Sequence, residues 1–316
     1  MSSITLTATE RQTILTLQGV TQLQNTTQNA LNTGKKVNSA TDNAVAYFQS
    51  EALYNRSTAF SGYKSTIDQS IQSLNSALTA TSSVETMLQQ LIGVLDNARG
   101  ETASQRASST LQFNNIANQM AQLIKDSTYQ GLNILTSSNA KLITQFSDRT
   151  AATLTVTGYN LITTAAGSEA LSLFTGAVVF GAAAAFQFSA LFLGTSTTAV
   201  VTGFSSLDQV SGSSIVKASA AAAIFTDTLT ALDNAVSQVQ AITASLGVNV
   251  NILQTRSTFS ANYGNVLNAG GDALTLADLN LEAANTQALN LRQQLGIQSL
   301  TTSSTQDQSI LTLLRA

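Results

Sequence analysis

The stretch LTLADLNLEAANTQALNLRQQL, Leu274–Leu295, decides how the chain is read. Its apolar residues fall at Leu274, Ala277, Leu281, Ala284, Ala288, Leu291 and Leu295, with spacing that alternates three and four. That rhythm is a narrow coiled-coil seam. Leu and Ala are strong helix formers, and Ala lets a second backbone come close. Asn280, Glu282, Asn285, Gln287, Asn290, Arg292 and Gln294 fill the opposite face. A stripe this narrow does not hold by itself, so the seam requires a partner helix.

Composition bounds what that partner belongs to. The 316 residues suffice for one or two domains with a real core. Only 10% are charged, so Ser, Thr, Asn and Gln must cover the surface. A net charge of −3 gives no electrostatic case for nucleic acid or an anionic membrane. The chain has no Cys, His, Trp or Pro. Without Cys there is no disulfide framework or thiolate chemistry. Without His the usual general base and the commonest metal ligand are missing. Without Pro nothing forces a helix to stop, which suits long helices. The acidic residues are scattered, and no HExxH, P-loop or GxGxxG occurs. The reading is of a non-enzymatic protein without a cofactor or metal. The N-terminus, MSSITLTATERQ, lacks the basic and apolar regions of a secretory signal.

Taken in order, Ile4 to Asn32 is a polar, fraying helix with a thin stripe at Ile14, Leu17, Val20, Leu23 and Leu31. Thr33-Gly34 ends it. Ser39 and Asp42 stand in capping-box spacing, which places the next helix start there. From Ile67 to Leu95 the rhythm is strong at Ile67, Ile71, Leu74, Leu78, Leu88, Ile92 and Leu95, with Thr81 and Glu85 as interruptions. Asn97 to Ser109 reads as a connection, Leu111 to Ile124 as a helix, and Tyr129 to Asn133 as a turn. Leu142–Phe146 and Thr153–Thr157 give a hairpin signal.

Ala170 to Leu207 carries no charge. Its length fits a membrane span. Gly and Ser interrupt it, however, and Phe186/Phe188 and Leu191/Leu193 alternate as in strands. The reading is a small β-rich or mixed insertion forming an outer core, with an exposed apolar patch for lateral contacts and a membrane span as alternatives. Helical rhythm resumes from Lys217 to Leu267. Gly270-Gly271 then reads as a break, with Asp272 as the cap of the terminal helix.

The layout is mirrored about the insertion. The expected fold is mainly α, a long coiled-coil-like bundle pairing N- and C-terminal segments, with a small β-containing insertion at its outer end. The terminal seam is expected to meet the stripe Ile14–Leu31 of its own chain. Two such narrow stripes are marginal alone, so copies must complete each other's burial. A heterologous, non-closing contact of that kind builds a helical filament.

Two motifs resemble bacterial flagellin. One is Leu31-Asn32-Thr33-Gly34-Lys35-Lys36-Val37-Asn38-Ser39-Ala40-Thr41-Asp42-Asn43-Ala44. The other is Ala288-Leu289-Asn290-Leu291-Arg292-Gln293-Gln294-Leu295-Gly296 with the closing Gln308-Ser309-Ile310-Leu311-Thr312-Leu313-Leu314-Arg315. The resemblance covers about residues 1–160 and 215–316. Its RQQLG form and short insertion are similar to the alphaproteobacterial branch. The closing region departs from many relatives in having Thr305-Gln306-Asp307 where they have Pro.

The resemblance implies a structural subunit, exported by the flagellar type III channel without a cleaved signal, that self-assembles into the extracellular filament used for swimming. It implies an inner-tube domain from 1–34 and 271–316 and a bundle from 35–140 and 217–270. Residues 141–216 would be the hairpin and variable insertion. Implied partners are identical subunits, other flagellins of the filament, an export chaperone, and cap and hook-associated proteins. Nucleic acid and membrane insertion are not expected. Candidate assembly residues are Leu274, Ala277, Leu281, Ala284, Ala288, Leu291, Leu295, Arg292, Lys35, Lys36, Asn38, Asp42, Leu313 and Leu314. Arg292 reads first as a solvated helix charge, with pairing to Glu282 or Glu10 as the alternative. The stretch Leu88–Leu95 aligns with one that an animal innate receptor reads in some flagellins. Those carry arginines where this chain has Gln90 and Ile92, so with Gln89 they imply weak recognition. The alternatives are a hook–filament junction protein and a membrane-associated coiled coil using 170–207.

Overall fold

The computed structural model describes residues 7–165, 168–171, 178–180, 186–188, 201–202 and 214–315. Among the described residues five helices dominate: α1 (Ala8–Thr33), α2 (Ala44–Arg99), α3 (Ala103–Asp126), α4 (Ser214–Thr275) and α5 (Leu279–Arg315). Between α3 and α4 lie the strands β1 (Lys141–Gln145), β2 (Thr153–Thr157), β3 (Ile162–Ala165), β4 (Ser168–Leu171), β5 (Val178–Phe180), β6 (Phe186–Phe188) and β7 (Val201–Thr202). The mainly α fold with a small β-containing insertion is therefore as expected. The strands pair antiparallel as β1-β2, β3-β4 and β5-β6-β7. No helix among the described residues is long and apolar enough to cross a membrane. The rest of the uncharged segment, including Leu191 and Leu193, lies outside the described residues.

Two compact units are present: residues 60–262, and residues 1–59 with 263–316. The first holds the apolar core. Along α2 the buried positions Ile67, Leu74, Ala77, Val84, Leu88, Leu91 and Leu95 keep the 3-4 rhythm. They pack with Phe113, Ala117, Met120 and Ile124 of α3 and Phe225, Leu232, Val239, Leu246 and Leu253 of α4. Thr81 is fully buried without harm because its hydroxyl donates to the Leu78 carbonyl at 3.0 Å. The β1-β2 hairpin closes on the core through Phe146 and Val156. Buried Thr144 donates to Ser70 Oγ of α2 at 2.7 Å.

Local signals explain where the helices stop. Gly34, at φ 70°, caps α1 in the left-handed conformation that Gly adopts without strain. Three boundaries differ from the sequence expectation. Only Gly100–Thr102 separates α2 from α3, because Thr102 and Gln105 cap each other and restart the helix at once. Asp42 ties its own turn, and α2 begins at Ala44 with the Asn43 side chain accepting from Ala46 N at 3.1 Å. Gly270-Gly271 is not a break, since α4 runs through to Thr275. A Cβ on Gly271 would stand 2.7 Å from the Tyr54 ring, so the glycine admits a neighbour. The cap of α5 is accordingly Asp278, whose Oδ1 accepts from Asn280 N at 3.0 Å and Leu281 N at 3.3 Å.

Candidate functional site

The site is the unit formed by α1 and α5 with the segments that join them to α2 and α4. Thr7 and Glu10 start α1 with a capping box: Glu10 Oε2 accepts from Thr7 N at 2.8 Å, and Thr7 Oγ1 accepts from Glu10 N at 3.3 Å. At the other end of the pair the chain is clasped to itself. Lys36 N donates to the Thr275 carbonyl at 2.8 Å, and Ala277 N donates to the Gly34 carbonyl at 3.0 Å. Lys36 Nζ reaches the Ala273 carbonyl at 3.3 Å. Tyr54 donates to Asp272 Oδ1 at 2.7 Å beside this clasp.

The motif residues mostly build that clasp. Asp42 Oδ2 accepts from both Asn38 N and Ser39 N at 2.9 Å. Those two backbone donors, first Asn38 and then Ser39, hold its carboxyl below the usual range. The Asn38 amide donates to Thr33 Oγ1 at 3.1 Å and to the Lys35 carbonyl at 3.3 Å. Lys35 is exposed.

The inward face of α1 keeps the expected stripe except for exposed Leu23, whereas that of α5 is not the expected one. On α1 the covered positions are Glu10, Thr13, Ile14, Leu17, Val20, Gln24, Thr27, Ala30 and Leu31. On α5 they are Glu282, Thr286, Leu289, Gln293, Gly296 and Leu300. Both sets keep the 3-4 spacing, yet the α5 set is largely polar and the α1 set mixes apolar residues with Glu10, Thr13, Gln24 and Thr27. Gln24 Nε2 donates to Asn290 Oδ1 at 2.7 Å and to Gln293 Oε1 at 3.0 Å. Gly296 lies against Leu17, where a Cβ would come within 2.7 Å of Cδ2.

The leucine seam that was expected to meet α1 therefore points away from it. Leu281, Leu291 and Leu295 are 58%, 57% and 61% exposed, and Ala284 and Ala288 are exposed with them. Leu274 and Ala277, at the clasp, are half-buried. The intrachain pairing read for Leu281, Ala288 and Leu295 is thus corrected. The seam lies about one residue, or 100°, around the helix from the face that α1 covers. Arg292 is exposed and bridges to neither Glu282 nor Glu10, whose carboxylate is held by Thr7. Among the described residues the ion pair formed is Lys64–Asp68. The side chains of Leu313 and Leu314 lie outside the described residues. On α2, Gln89 and Gln90 are exposed, while Ile92 is half-buried against the core.

The family model described as "Bacterial flagellin N-terminal helical region" matches residues 6–140. Flagellin FljM of Caulobacter vibrioides is 27% identical over 91% of this chain and 89% of its own length. Flagellin FljK of the same organism is 24% identical over 100% of this chain and 99% of its own. The flagellin of Brucella melitensis is 22% identical, and the match spans 100% of both chains. These matches support a bacterial flagellin. As a flagellin it is a structural subunit that self-assembles into the extracellular helical filament of the bacterial flagellum, and its relatives are alphaproteobacterial. The motif-bearing segments at both ends of this flagellin are the ones its clasp and helix pair are made of.

Sequence reasoning missed Gln24, Leu289, Gln293 and Gly296. The 3-4 repeat of their stripe is present in the sequence, but ranking by hydrophobicity favours the leucine stripe beside it. The signal available was Gly296, a glycine that interrupts no helix.

Proposed function

We propose that polymerisation of this flagellin is driven by neighbouring copies covering the exposed stripe Leu281, Ala284, Ala288, Leu291 and Leu295 of α5. The carrying observation is that α5 leaves all three leucines of this stripe more than half exposed while pairing a polar face with α1. Full burial of a leucine contributes about 1.5–3 kcal/mol, so each of these retains on the order of 1 kcal/mol for a partner. Exposed ion pairs contribute about 0.2–1 kcal/mol. Asp42 is already engaged in its own turn, so Lys35, Lys36 and Arg292 supply orientation around the stripe.

In this reading residues 1–34 and 271–316 form the inner tube. The clasp of Gly34–Val37 on Thr275–Ala277 supports ending the α1–α5 pair there. Residues 35–140 and 217–270 form the surrounding bundle, 141–216 the outward insertion, and Leu313 and Leu314 a terminal contact. The subunit acts without catalysis, leaves the cell by type III export without a cleaved signal, and meets chaperone, cap and hook-associated proteins on the way.

The test is seeded polymerisation of Ala284→Glu and Ala288→Glu, followed by electron microscopy. Both variants should keep the monomer's circular dichroism and fail to elongate seeds, because a carboxylate would be buried without a partner. Normal elongation of both would remove the stripe from the interface. Failure of the unmodified protein to elongate under any salt or seed condition would return the junction-protein reading.

A further inference from the structure

We propose that Gln24 selects which face of α5 packs on α1, and so keeps the leucine stripe free. The inference rests on the proposed polymerisation role of that stripe. α5 offers α1 two stripes of equal spacing about 100° apart. One is Leu281, Ala284, Ala288, Leu291 and Leu295; the other is Thr286, Leu289, Gln293 and Gly296. Apolar burial alone favours the leucine stripe. The chain uses the other.

Gln24 explains the choice. Its amide is buried and donates to two acceptors, Asn290 Oδ1 and Gln293 Oε1. Rotating α5 to bring Leu291 and Ala288 inward would carry Gln293 away and set the amide against apolar side chains. An unpaired buried amide is strongly disfavoured, whereas a paired one specifies a single arrangement, as a lone polar residue does in coiled coils. Leu17 adds to the choice, because Gly296 admits it closely and Leu295 in that place would hold the helices apart. Gln24 also specifies register. A shift of one heptad toward the C-terminus would put it opposite Ile297 and Leu300, which offer no side-chain acceptor.

The chain has no cysteine, so single cysteines report each face of the full-length monomer. Ala288→Cys lies on the free face and Leu289→Cys on the covered one, with Thr286→Cys as a second covered position should Leu289→Cys disturb folding. In the otherwise unmodified chain a maleimide should label position 288 about tenfold faster than 289 or 286, the ratio that 1.4 kcal/mol of pairing produces. Adding Gln24→Leu should bring that ratio to near one or below. Val20→Leu, one turn away on the same seam, should leave it unchanged. Gln24→Leu should also slow seeded elongation.

A labelling ratio unchanged by Gln24→Leu overturns the proposal, as does equal labelling in the unmodified background. A reversed ratio together with normal elongation by Ala288→Glu would retain face selection and refute only the polymerisation role of the stripe.

Discussion

Three glycines of α4, each replaced by alanine, should differ in sign of effect because of tertiary contacts alone. In a helix interior Gly is about 1 kcal/mol less favourable than Ala. At Gly247 nothing lies within 4 Å of the added methyl, so Gly247→Ala should stabilise by about 1 kcal/mol. At Gly270 the new Cβ would be 3.4 Å from Leu53 Cδ1, an ordinary contact, and the effect should be similar or slightly smaller. At Gly271 it would be 2.7 Å from both Cε1 and Cζ of Tyr54. The ring is not free to swing aside. Its hydroxyl donates to Asp272 Oδ1 at 2.7 Å and lies 3.3 Å from Thr275 Oγ1, and Thr275 carries the clasp. Overpacking costs about 1–3 kcal/mol. Straining a hydrogen bond to a carboxylate adds to that, though Tyr54 is partly solvated and the loss is reduced accordingly. After subtracting the propensity gain, Gly271→Ala should destabilise by roughly 1–2 kcal/mol. Urea denaturation followed by far-UV circular dichroism measures all three variants, and hydrogen exchange at the amides of 265–275 localises the effect. If Gly271→Ala stabilises as much as Gly247→Ala, the close approach of Tyr54 to α4 is refuted.

Leu88 is fully buried in the core of α2, α3 and α4, so Leu88→Ala should cost about 2–5 kcal/mol in the same urea assay. The turn at Asn38–Asp42 should be acid-sensitive only at low pH. The folded carboxyl of Asp42 lies below its unfolded value, so its contribution is present above the unfolded value and lost as pH falls through the folded one. A pH titration of the Ser39 amide by NMR should show a midpoint below the usual carboxylate range; a midpoint within that range would show that the two backbone hydrogen bonds are not made in solution. With Gln89, Gln90 and Ile92 in place of the arginine-bearing pattern, the protein should activate the innate receptor weakly in reporter cells. Gln90→Arg should raise the signal, and full activation by the unmodified protein at low concentration would refute the reading.

Much of this architecture is legible in the residues. Long helices follow from 3-4 spacing without proline, and the core of α2 follows from Ile67, Leu74, Leu88 and Leu95. The hairpin follows from β-formers on either side of Ser147-Asp148-Arg149, and the end of α1 from Gly34. These are local or periodic signals, and local physics reads them directly. The motifs at 31–44 and 288–296 likewise carry the flagellin resemblance in the residues themselves.

What the residues alone could not decide is which of two equally spaced stripes meets α1. Hydrophobicity ranks the leucine stripe first, and in isolation that ranking is sound. The folded chain departs from it because Gln24 finds Asn290 and Gln293, and Leu17 finds Gly296, on the other face. The role of Gly271 is equally nonlocal, since only the approach of Tyr54 distinguishes a glycine that admits a ring from one that ends a helix. Spacing therefore determined that there would be helices and stripes. Partners hundreds of residues away in sequence decided which stripe is buried, because a buried amide must be paired and a close contact must have room.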